Sequence, residues 1–555
     1  MNRRPPKDSG AGLFLRVDAE GDAILKANLA LFLMVAAAAI CPPAMAADRT
    51  ESDAPAAGAA DPQFRIDEYR VLGNSSLAAT AIEAAVYPYL GPEKTIKDVE
   101  AARKALEEAY HQAGLGTVFV DIPEQEIAEG VVRLRVTEGK LRTTRVSGAR
   151  YFSNREIRNA LPAATEETVP NLPSLQNELT KLNAQTSDRA VVPVLKAGPT
   201  PGTVDLSLKV VDQLPFHGSV EINNQETPDT KPLRTLVSMN YDDMFGRLDS
   251  LALQYQFAPQ ALGQYGVLVA SYTLHLNDEG TRWSFQYIDS SSDISAIGAL
   301  AILGKGKIFG TRLTQPITLS AESSQSFSLG VDYKDFAEDI EVDPDSTLKT
   351  PISYVNFSLA YSGAWRRDIF QWGFDSTLNF GIRGLKNDDT EFADKRFGAY
   401  GNYAYLRSNA SFGARLPADF TIILRLSGQY APAPIISNEQ FTIGGADSVR
   451  GFLEAEELGD MGIKSTLQLG TPQLKLLRGK FIADAFVFYD VGRVNTIDSL
   501  PGEPSNSELR SLGAGINLSL LQHMTGALSW AYPLNDGLET RAHDGRVLFF
   551  LRGMW

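Results

Sequence analysis

Thiol and imidazole side chains are scarce in this chain of 555 residues. It contains one cysteine, Cys41, and five histidines without metal-ligand spacing, and it lacks a Walker-type glycine-rich loop for nucleotide phosphates. These absences argue against thiol chemistry, a zinc centre and nucleotide hydrolysis. The sequence therefore predicts a protein that is not an enzyme and that needs no cofactor or metal.

Positive charge and long apolar runs are also in short supply. Lys and Arg number 52 against 67 Asp and Glu, a formal net charge of −15, which argues against nucleic acid as a partner. After the N-terminus no window of about twenty residues is continuously apolar, so helical membrane spans are not expected. Aromatic, glycine and small polar residues instead concentrate in the second half, a mixture typical of a large antiparallel sheet with polar turns.

The N-terminus has the pattern of an export signal. Several Arg and Lys residues precede the apolar run 27–40, and the sequence AMA at 44–46 is a small-x-small cleavage site. Residues 1–46, which include Cys41, are therefore predicted to be a signal peptide. Residues 47–63 are rich in Ala, Asp, Pro and Gly, which predicts a disordered lead-in.

Two successive segments repeat the same order of elements. Each begins with a strand-like stretch, continues with two helix-like stretches and ends with two strand-like stretches. The sequence therefore predicts two α+β modules of β-α-α-β-β order, over 64–140 and 141–213. The clearest helix is expected over 95–113, where apolar residues recur every three or four positions and Thr95 with Asp98 forms a capping pair.

The remaining residues, 214–555, alternate apolar and polar side chains in long segments, as over 250–257. A segment of about ten residues is what a tilted strand needs to cross a bilayer, and about sixteen such segments can be counted. A closed barrel would satisfy every backbone group in lipid. The chain ends on alternating apolar positions and Trp555, which resembles a signal for outer-membrane barrel assembly. We therefore predict a 16-stranded antiparallel transmembrane β-barrel.

Two motifs stand out within the barrel region. FTIGGADSVRGF places Arg450 in a long segment between strands, 431–462, and FYDVG places Asp490 on a strand. Alternation puts Asp490 on the lumen side, so a loop folded into the barrel could bring the two side chains together through paired hydrogen bonds. On spacing alone, an exposed arginine and a turn aspartate remain an alternative. The acid-rich stretches 332–345 and 454–460 are expected to be solvated loops.

The whole series of motifs resembles the two-partner-secretion transporters, the TpsB family within the superfamily of POTRA-plus-barrel proteins. The matching residues include SVRGF, FYDVG and, in the modules, IPEQ at 122–125, EGK at 138–140, VPNLPSLQ at 169–176 and PGTVDL at 201–206. The resemblance implies periplasmic POTRA domains that capture an unfolded TpsA-type exoprotein and an outer-membrane barrel that secretes it. It also implies that the barrel-assembly machinery inserts the barrel into the lipid bilayer.

The resemblance also assigns roles to individual residues. It implies that Arg450, at the tip of an inward-folded loop, is locked to Asp490. The loop motif comprises Gly444, Gly445, Val449, Gly451 and Phe452, and the strand motif comprises Phe488 and Gly492.

Other functions and the client-binding edge remain open at this point. An assembly factor for other barrels would share the architecture, although the number of modules and the IPEQ and PGTVDL patterns favour secretion. A passive porin would need neither the modules nor the Arg450 loop. In each module the second strand, near 117–122 and 190–195, is a candidate edge for adding an extended client strand.

Overall fold

The computed structural model describes residues 62–555 apart from 128, 229, 264, 278, 293, 298–299, 321, 338, 344–345 and 503. The predicted signal peptide and all but the last two residues of the predicted lead-in lie outside the described residues. The described chain divides into two compact units, one ending at Leu214 and one running from Pro215 to Trp555. Among the described residues, no helix combines the length and the apolar character needed to cross a bilayer.

The N-terminal unit consists of two modules with the predicted order of elements. The first module contains β1 (Phe64–Ile66), β2 (Glu68–Leu72), α1 (Ala79–Val86), β3 (Gly91–Lys94), α2 (Ile96–Gln112), β4 (Val118–Asp121) and β5 (Val131–Glu138). The second contains β6 (Lys140–Ser147), α3 (Asn154–Asn159), α4 (Leu172–Ala184), β7 (Arg189–Ala197) and β8 (Thr203–Asp212). Sequence patterns did not predict β3, which pairs only with the short β1.

The two modules have the same sheet topology. The strand orders are β2-β5-β4 and β6-β8-β7, and in each sheet the first strand is parallel to the central one while the other edge strand is antiparallel. The predicted cap of α2 is confirmed, since the Thr95 backbone N–H donates to Asp98 Oδ2 at 2.8 Å. One face of that helix, with Leu106 and Tyr110 fully buried, packs on the first sheet.

The C-terminal unit is a closed antiparallel barrel of sixteen long strands, as predicted. They are β9 (Phe216–Asn223), β10 (Arg234–Met244), β11 (Asp249–Phe257), β12 (Gly266–His275), β13 (Arg282–Ser290), β16 (Gly306–Leu319), β17 (Ser323–Phe336), β20 (Ile352–Arg367), β21 (Phe370–Gly381), β22 (Ala404–Arg415), β23 (Thr421–Tyr430), β26 (Met461–Gly470), β28 (Phe481–Asn495), β29 (Asn506–Leu520), β30 (Met524–Pro533) and β31 (Arg546–Met554). A short strand, β27 (Leu474–Leu476), also pairs with β28.

The connections at the end of the barrel where β9 begins are short, and those at the opposite end, here called the loop end, are mostly long. In the described part of the chain, the loop end carries one helix and three small hairpins: α5 (Asp389–Lys395), β14 (Ile294–Ile297) with β15 (Leu300–Leu303), β18 (Asp339–Asp343) with β19 (Ser346–Lys349), and β24 (Phe441–Ile443) with β25 (Glu457–Gly459). Short 3-10 turns occupy 87–89, 162–164, 417–419, 437–439 and 477–479.

Alternation along the strands separates a lipid-facing surface from a lumen-facing one. On β28, Val487 and Tyr489 are 54% and 43% exposed, whereas Phe486, Phe488 and Asp490 are buried. A broad exposed belt of Leu, Phe, Tyr and Trp of this kind is expected where hydrocarbon replaces water as the solvent. The barrel closes where β31 pairs with β9, and the backbones of Gly218 and Trp555 exchange hydrogen bonds of 3.2 and 3.1 Å.

Candidate functional site in the barrel lumen

A long segment between β23 and β26 folds into the barrel. This segment, here called the lumen loop, covers residues 431–460; it is two residues shorter than expected because Met461 and Gly462 already pair with β28. Its apolar side chains are buried against the inner wall rather than exposed. They form a cluster with two wall residues: Phe441, Ile443, Val449 and Phe452 from the loop, and Val494 and Leu509 from the wall.

The tip of the lumen loop is bound to β28 through Arg450. The guanidinium donates from Nε to Asp490 Oδ2 at 2.7 Å and from Nη2 to Oδ1 at 2.9 Å, and the Arg450 backbone N–H donates to Oδ2 at 3.1 Å. The side chains are 10% and 0% exposed. Both carboxylate oxygens are therefore occupied, in the bidentate geometry that makes arginine–carboxylate pairs strong.

Two further wall residues complete the environment of the guanidinium. Gln468 Oε1 on β26 accepts from Arg450 Nη1 at 3.1 Å. The ring of Phe488 lies under the guanidinium, with 3.4 Å between its centroid and the Arg450 Cζ, a cation–π contact. Sequence reasoning named Phe488 only as a motif residue and missed Gln468, because the register that aligns Gln468 with Phe488 cannot be read from alternation within one strand.

Glycines allow the loop to lie close to itself and to the wall. Gly444 has φ +102°, which favours glycine, and a Cβ there would lie 2.5 Å from the Leu453 carbonyl oxygen. A Cβ on Gly492 would lie 2.9 Å from Val449 Cγ2, so this wall glycine makes room for the loop tip. These contacts give the glycines of both motifs a packing role.

The acid-rich stretch 454–460 is not a solvated loop, contrary to expectation. Asp460 is fully buried. Both Nη atoms of Arg396 donate hydrogen bonds to its carboxylate, and the backbone N–H of Ile497 donates to Oδ2 at 2.7 Å. Glu456 is 2% exposed and accepts from the backbone N–H of Thr540 at 2.7 Å. These acids tie the lumen loop to three neighbouring loops.

The prediction of a solvated loop over 332–345 is wrong for 332–336, which belong to β17, and the side chains from 338 to 345 lie outside the described ones. Asp332 lies within β17, is 5% exposed and accepts from Arg312 Nη2 at 2.9 Å. Acidic composition alone does not predict the position of Asp332, which follows from the alternation of side chains along β17. Paired charges on neighbouring strands are compatible with a polar lumen.

The VPNLPSLQ motif joins the two modules of the N-terminal unit. Asn171 Oδ1 caps α4 by accepting from the Ser174 backbone N–H at 3.0 Å, and its Nδ2 donates to the Ala113 carbonyl at the end of α2, also at 3.0 Å. The Leu172 backbone N–H donates to the Gly114 carbonyl at 2.9 Å. One motif therefore both starts a helix of the second module and docks it on the first.

The other module motifs hold backbone segments in place. Glu138 of EGK accepts hydrogen bonds from the backbone N–H groups of Ser75 and Ser76 at 2.7 and 2.8 Å. Gln125 of IPEQ exchanges two hydrogen bonds with the backbone of Arg133, beyond the end of β4. The candidate client-binding strands, β4 and β7, each pair on one side only within the described residues and so lie at sheet edges.

Two family models match the chain. A model for haemolysin secretion/activation proteins of the ShlB/FhaC/HecB type covers residues 202–518, and one for the ShlB-type POTRA domain covers residues 64–139. The second match coincides with the first module.

Full-length relatives are similar at low identity. The heme/hemopexin transporter protein HuxB of Haemophilus influenzae (strain 86-028NP) is 20% identical over 493 residues, 86% of this chain and 85% of that protein. The outer membrane transporter CdiB of Dickeya dadantii (strain 3937) is 23% identical over 424 residues, 72% of this chain and 71% of that protein.

Solved structures show the same fold. CdiB from Escherichia coli aligns with a TM-score of 0.56 at 18% identity, over 98% of this chain and 100% of that chain. BamA from Haemophilus ducreyi lacking POTRA domains 1–3 aligns with a TM-score of 0.53 at 14% identity, over 89% of this chain and 100% of that chain.

Proposed function

Because the chain belongs to the ShlB/FhaC/HecB family of haemolysin secretion/activation proteins, a family of outer-membrane two-partner-secretion transporters, we propose that it captures one unfolded partner exoprotein and exports it through its barrel. The barrel lies in the outer membrane and the POTRA modules lie in the periplasm. Since β9 follows the modules directly, the loop end of the barrel is extracellular. Residues 1–46 would direct the chain to this compartment.

Client capture would begin at the sheet edges of the modules. An extended segment can add to an exposed edge through backbone hydrogen bonds, which suits a client that is still unfolded. The edge strands β4 and β7 offer such positions, and the Asn171 dock would keep the two edges in a fixed relation. In this proposal the partner is an exoprotein of TpsA type whose own folding outside the cell drives transport.

The observation that carries the proposal is the lumen loop held by Arg450 and Asp490. With its tip docked, the loop occupies the path that an exported chain would take. Removing one partner of a well-buried ion pair costs about 3–5 kcal/mol, so the contact is strong enough to set the balance between a docked and a released loop. A passive porin would not need a loop of this kind, because diffusion through an open channel requires no docked and released states.

Secretion of a TpsA-type partner exoprotein, produced together with this chain, tests the proposal. Arg450→Ala should reduce secretion while the barrel still assembles, as shown by heat-modifiable migration on gels. Arg541→Ala, which removes an exposed arginine at the same end of the barrel, is the matched control. Full secretion by Arg450→Ala would contradict the role of the loop.

Deletion of residues 64–212 separates the roles of the two units. The remaining barrel should still assemble in the outer membrane but secrete nothing, because client capture is lost. Retained secretion would contradict capture by the modules. Loss of several other outer-membrane proteins, rather than of one exoprotein, would instead indicate a barrel-assembly factor.

A further inference from the structure

Besides its contacts with neighbouring loops, the lumen loop has a second anchor on the strands of the barrel wall, in the arm that leads from β23 toward its tip. A 3-10 turn at 437–439 ends in Glu439, which is 3% exposed. Its Oε1 accepts from Lys334 Nζ and from the Tyr354 hydroxyl, both at 2.5 Å, and its Oε2 accepts from the Tyr405 hydroxyl at 2.6 Å. The Gln429 side chain also donates to the Glu439 carbonyl, at 3.1 Å. Every oxygen of this residue therefore has a partner.

The surroundings of Glu439 make this anchor costly to break. Tyr354 and Tyr405 belong to an apolar cluster that also includes Phe392, Ile435 and Ile436 and that draws residues from several loops. A carboxylate in such surroundings is tolerated only when it is paired and hydrogen-bonded. Moving the arm away from the wall would leave Lys334 without this carboxylate and the buried hydroxyls of Tyr354 and Tyr405 without this hydrogen-bond acceptor.

The two anchors, Glu439 in the arm and Arg450 at the tip, contact different parts of the barrel wall. Glu439 is bound by residues of β17, β20 and β22, whereas Arg450 is bound by β26 and β28, and the neighbouring Gly451 lies against Ala531 and Pro533 of β30. Because Gln429 of β23 also binds the Glu439 carbonyl, the two sets meet between β23 and β26 in the strand order of the barrel, but they share no strand. Releasing the tip alone would leave the arm of the loop attached to the other wall.

We propose that Glu439 is a positioning residue that holds the arm of the lumen loop across the extracellular mouth, independently of the Arg450–Asp490 pair, so that both anchors must release before the channel opens. This inference shares one premise with the proposed function, namely that the channel is closed when the loop is docked. Release of the tip anchor alone is then insufficient to open the channel fully.

Conductance of the purified full chain in planar bilayers tests this inference without any client. The variants are Glu439→Gln, Arg450→Ala and the double variant, with Glu539→Gln as the matched control, because the Glu539 side chain is exposed at the same end. Glutamine keeps the size but removes the charge. Each single variant should raise the open probability by about tenfold or more, the loss expected for hydrogen bonds to a charged group.

Independent anchors predict that the double variant raises the open probability by the product of the two single effects. The inference is overturned if Glu439→Gln leaves the open probability unchanged both in the wild-type chain and in Arg450→Ala. Tyr405→Phe is the substitute variant if Glu439→Gln fails to assemble. It removes one hydrogen bond and no charge, so it should raise the open probability less than Glu439→Gln. An unchanged Tyr405→Phe channel would then count against the anchor.

The outcomes also separate this inference from the proposed function. If Glu439→Gln opens the channel but no variant alters secretion, the second anchor stands and the export role of the loop falls. If Arg450→Ala abolishes secretion while Glu439→Gln leaves conductance unchanged, the export role stands and the second anchor falls.

Discussion

Asn171 offers a sharp test of how the two POTRA modules are held together. Its carboxamide has two separable roles, since Oδ1 caps α4 and Nδ2 donates to the Ala113 carbonyl of the first module. Asn171→Ser keeps a capping oxygen, because serine is about as good an N-cap as asparagine. Serine is too short to reach Ala113, so only the docking bond is lost.

The expected magnitude follows from the contacts. A neutral hydrogen bond contributes about 0.5–1.5 kcal/mol, which corresponds to an increase of about 2- to 10-fold in the undocked population. Gly114→Ala should act more strongly than Asn171→Ser. Its φ is +84°, and a new Cβ would lie 2.7 Å from Asn171 Nδ2, so backbone strain and a steric conflict add to the lost contact.

Distances between spin labels on the two modules give the readout. Single cysteines at Glu83 and Lys181, both exposed on helices of different modules, can be labelled cleanly because the only native cysteine lies in the predicted signal peptide. The wild-type full chain should give one narrow distance distribution, Asn171→Ser a broader one, and Gly114→Ala the broadest. Equally narrow distributions in all three would refute a docking role for Asn171.

Two further predictions concern pH. Serine hydroxyl and backbone N–H donors outweigh burial and lower the pKa of Glu138, so its contribution to stability is present above the ordinary value of about 4.3 and is lost as the pH falls below it. The protection factors of the β2 amides, which correct for the intrinsic pH dependence of hydrogen exchange, should fall on acidification more in the wild type than in Glu138→Gln, and an equal fall would contradict this. Burial, with a smaller effect of Asp447, raises the pKa of Glu454 in the lumen loop to about 7, so docking is favoured at low pH and weakens as the pH rises through 7. Conductance should therefore increase between pH 5 and pH 8, and Glu454→Gln should flatten that rise; a wild-type channel insensitive to pH would count against it.

Periodicity was sufficient to predict the architecture. Alternation gave the barrel strands and the lumen side of Asp490, and three- and four-residue spacing gave α2 with its Thr95 cap. These signals are local, because each depends on side chains that lie within one turn or one strand. The short β3 was missed because its sequence, GPEK, has no apolar alternation.

Contacts that depend on register or on the path of a loop could not be predicted in the same way. Glu439, Glu456 and Asp460 are acids in polar sequence, which is the usual signature of a solvated loop, and only folding of the loop into the lumen buries them. Their partners come from strands or loops distant in sequence. Gln468 illustrates the same limit, since its contact with Arg450 requires both the loop path and the alignment of β26 with β28.

Passage of the client through the barrel is the central claim, and cross-linking from neighbouring residues of β23 tests it most directly. Alternation places Ser427 on the lumen side, whereas Leu426 is 41% exposed on the lipid-facing side. A photoreactive residue is introduced at either position, and a folded domain fused to the client stalls it during export. A client that passes through the lumen should cross-link from position 427 and not from 426. Export that continues with no cross-link from 427, or with equal cross-links from both positions, would contradict this claim.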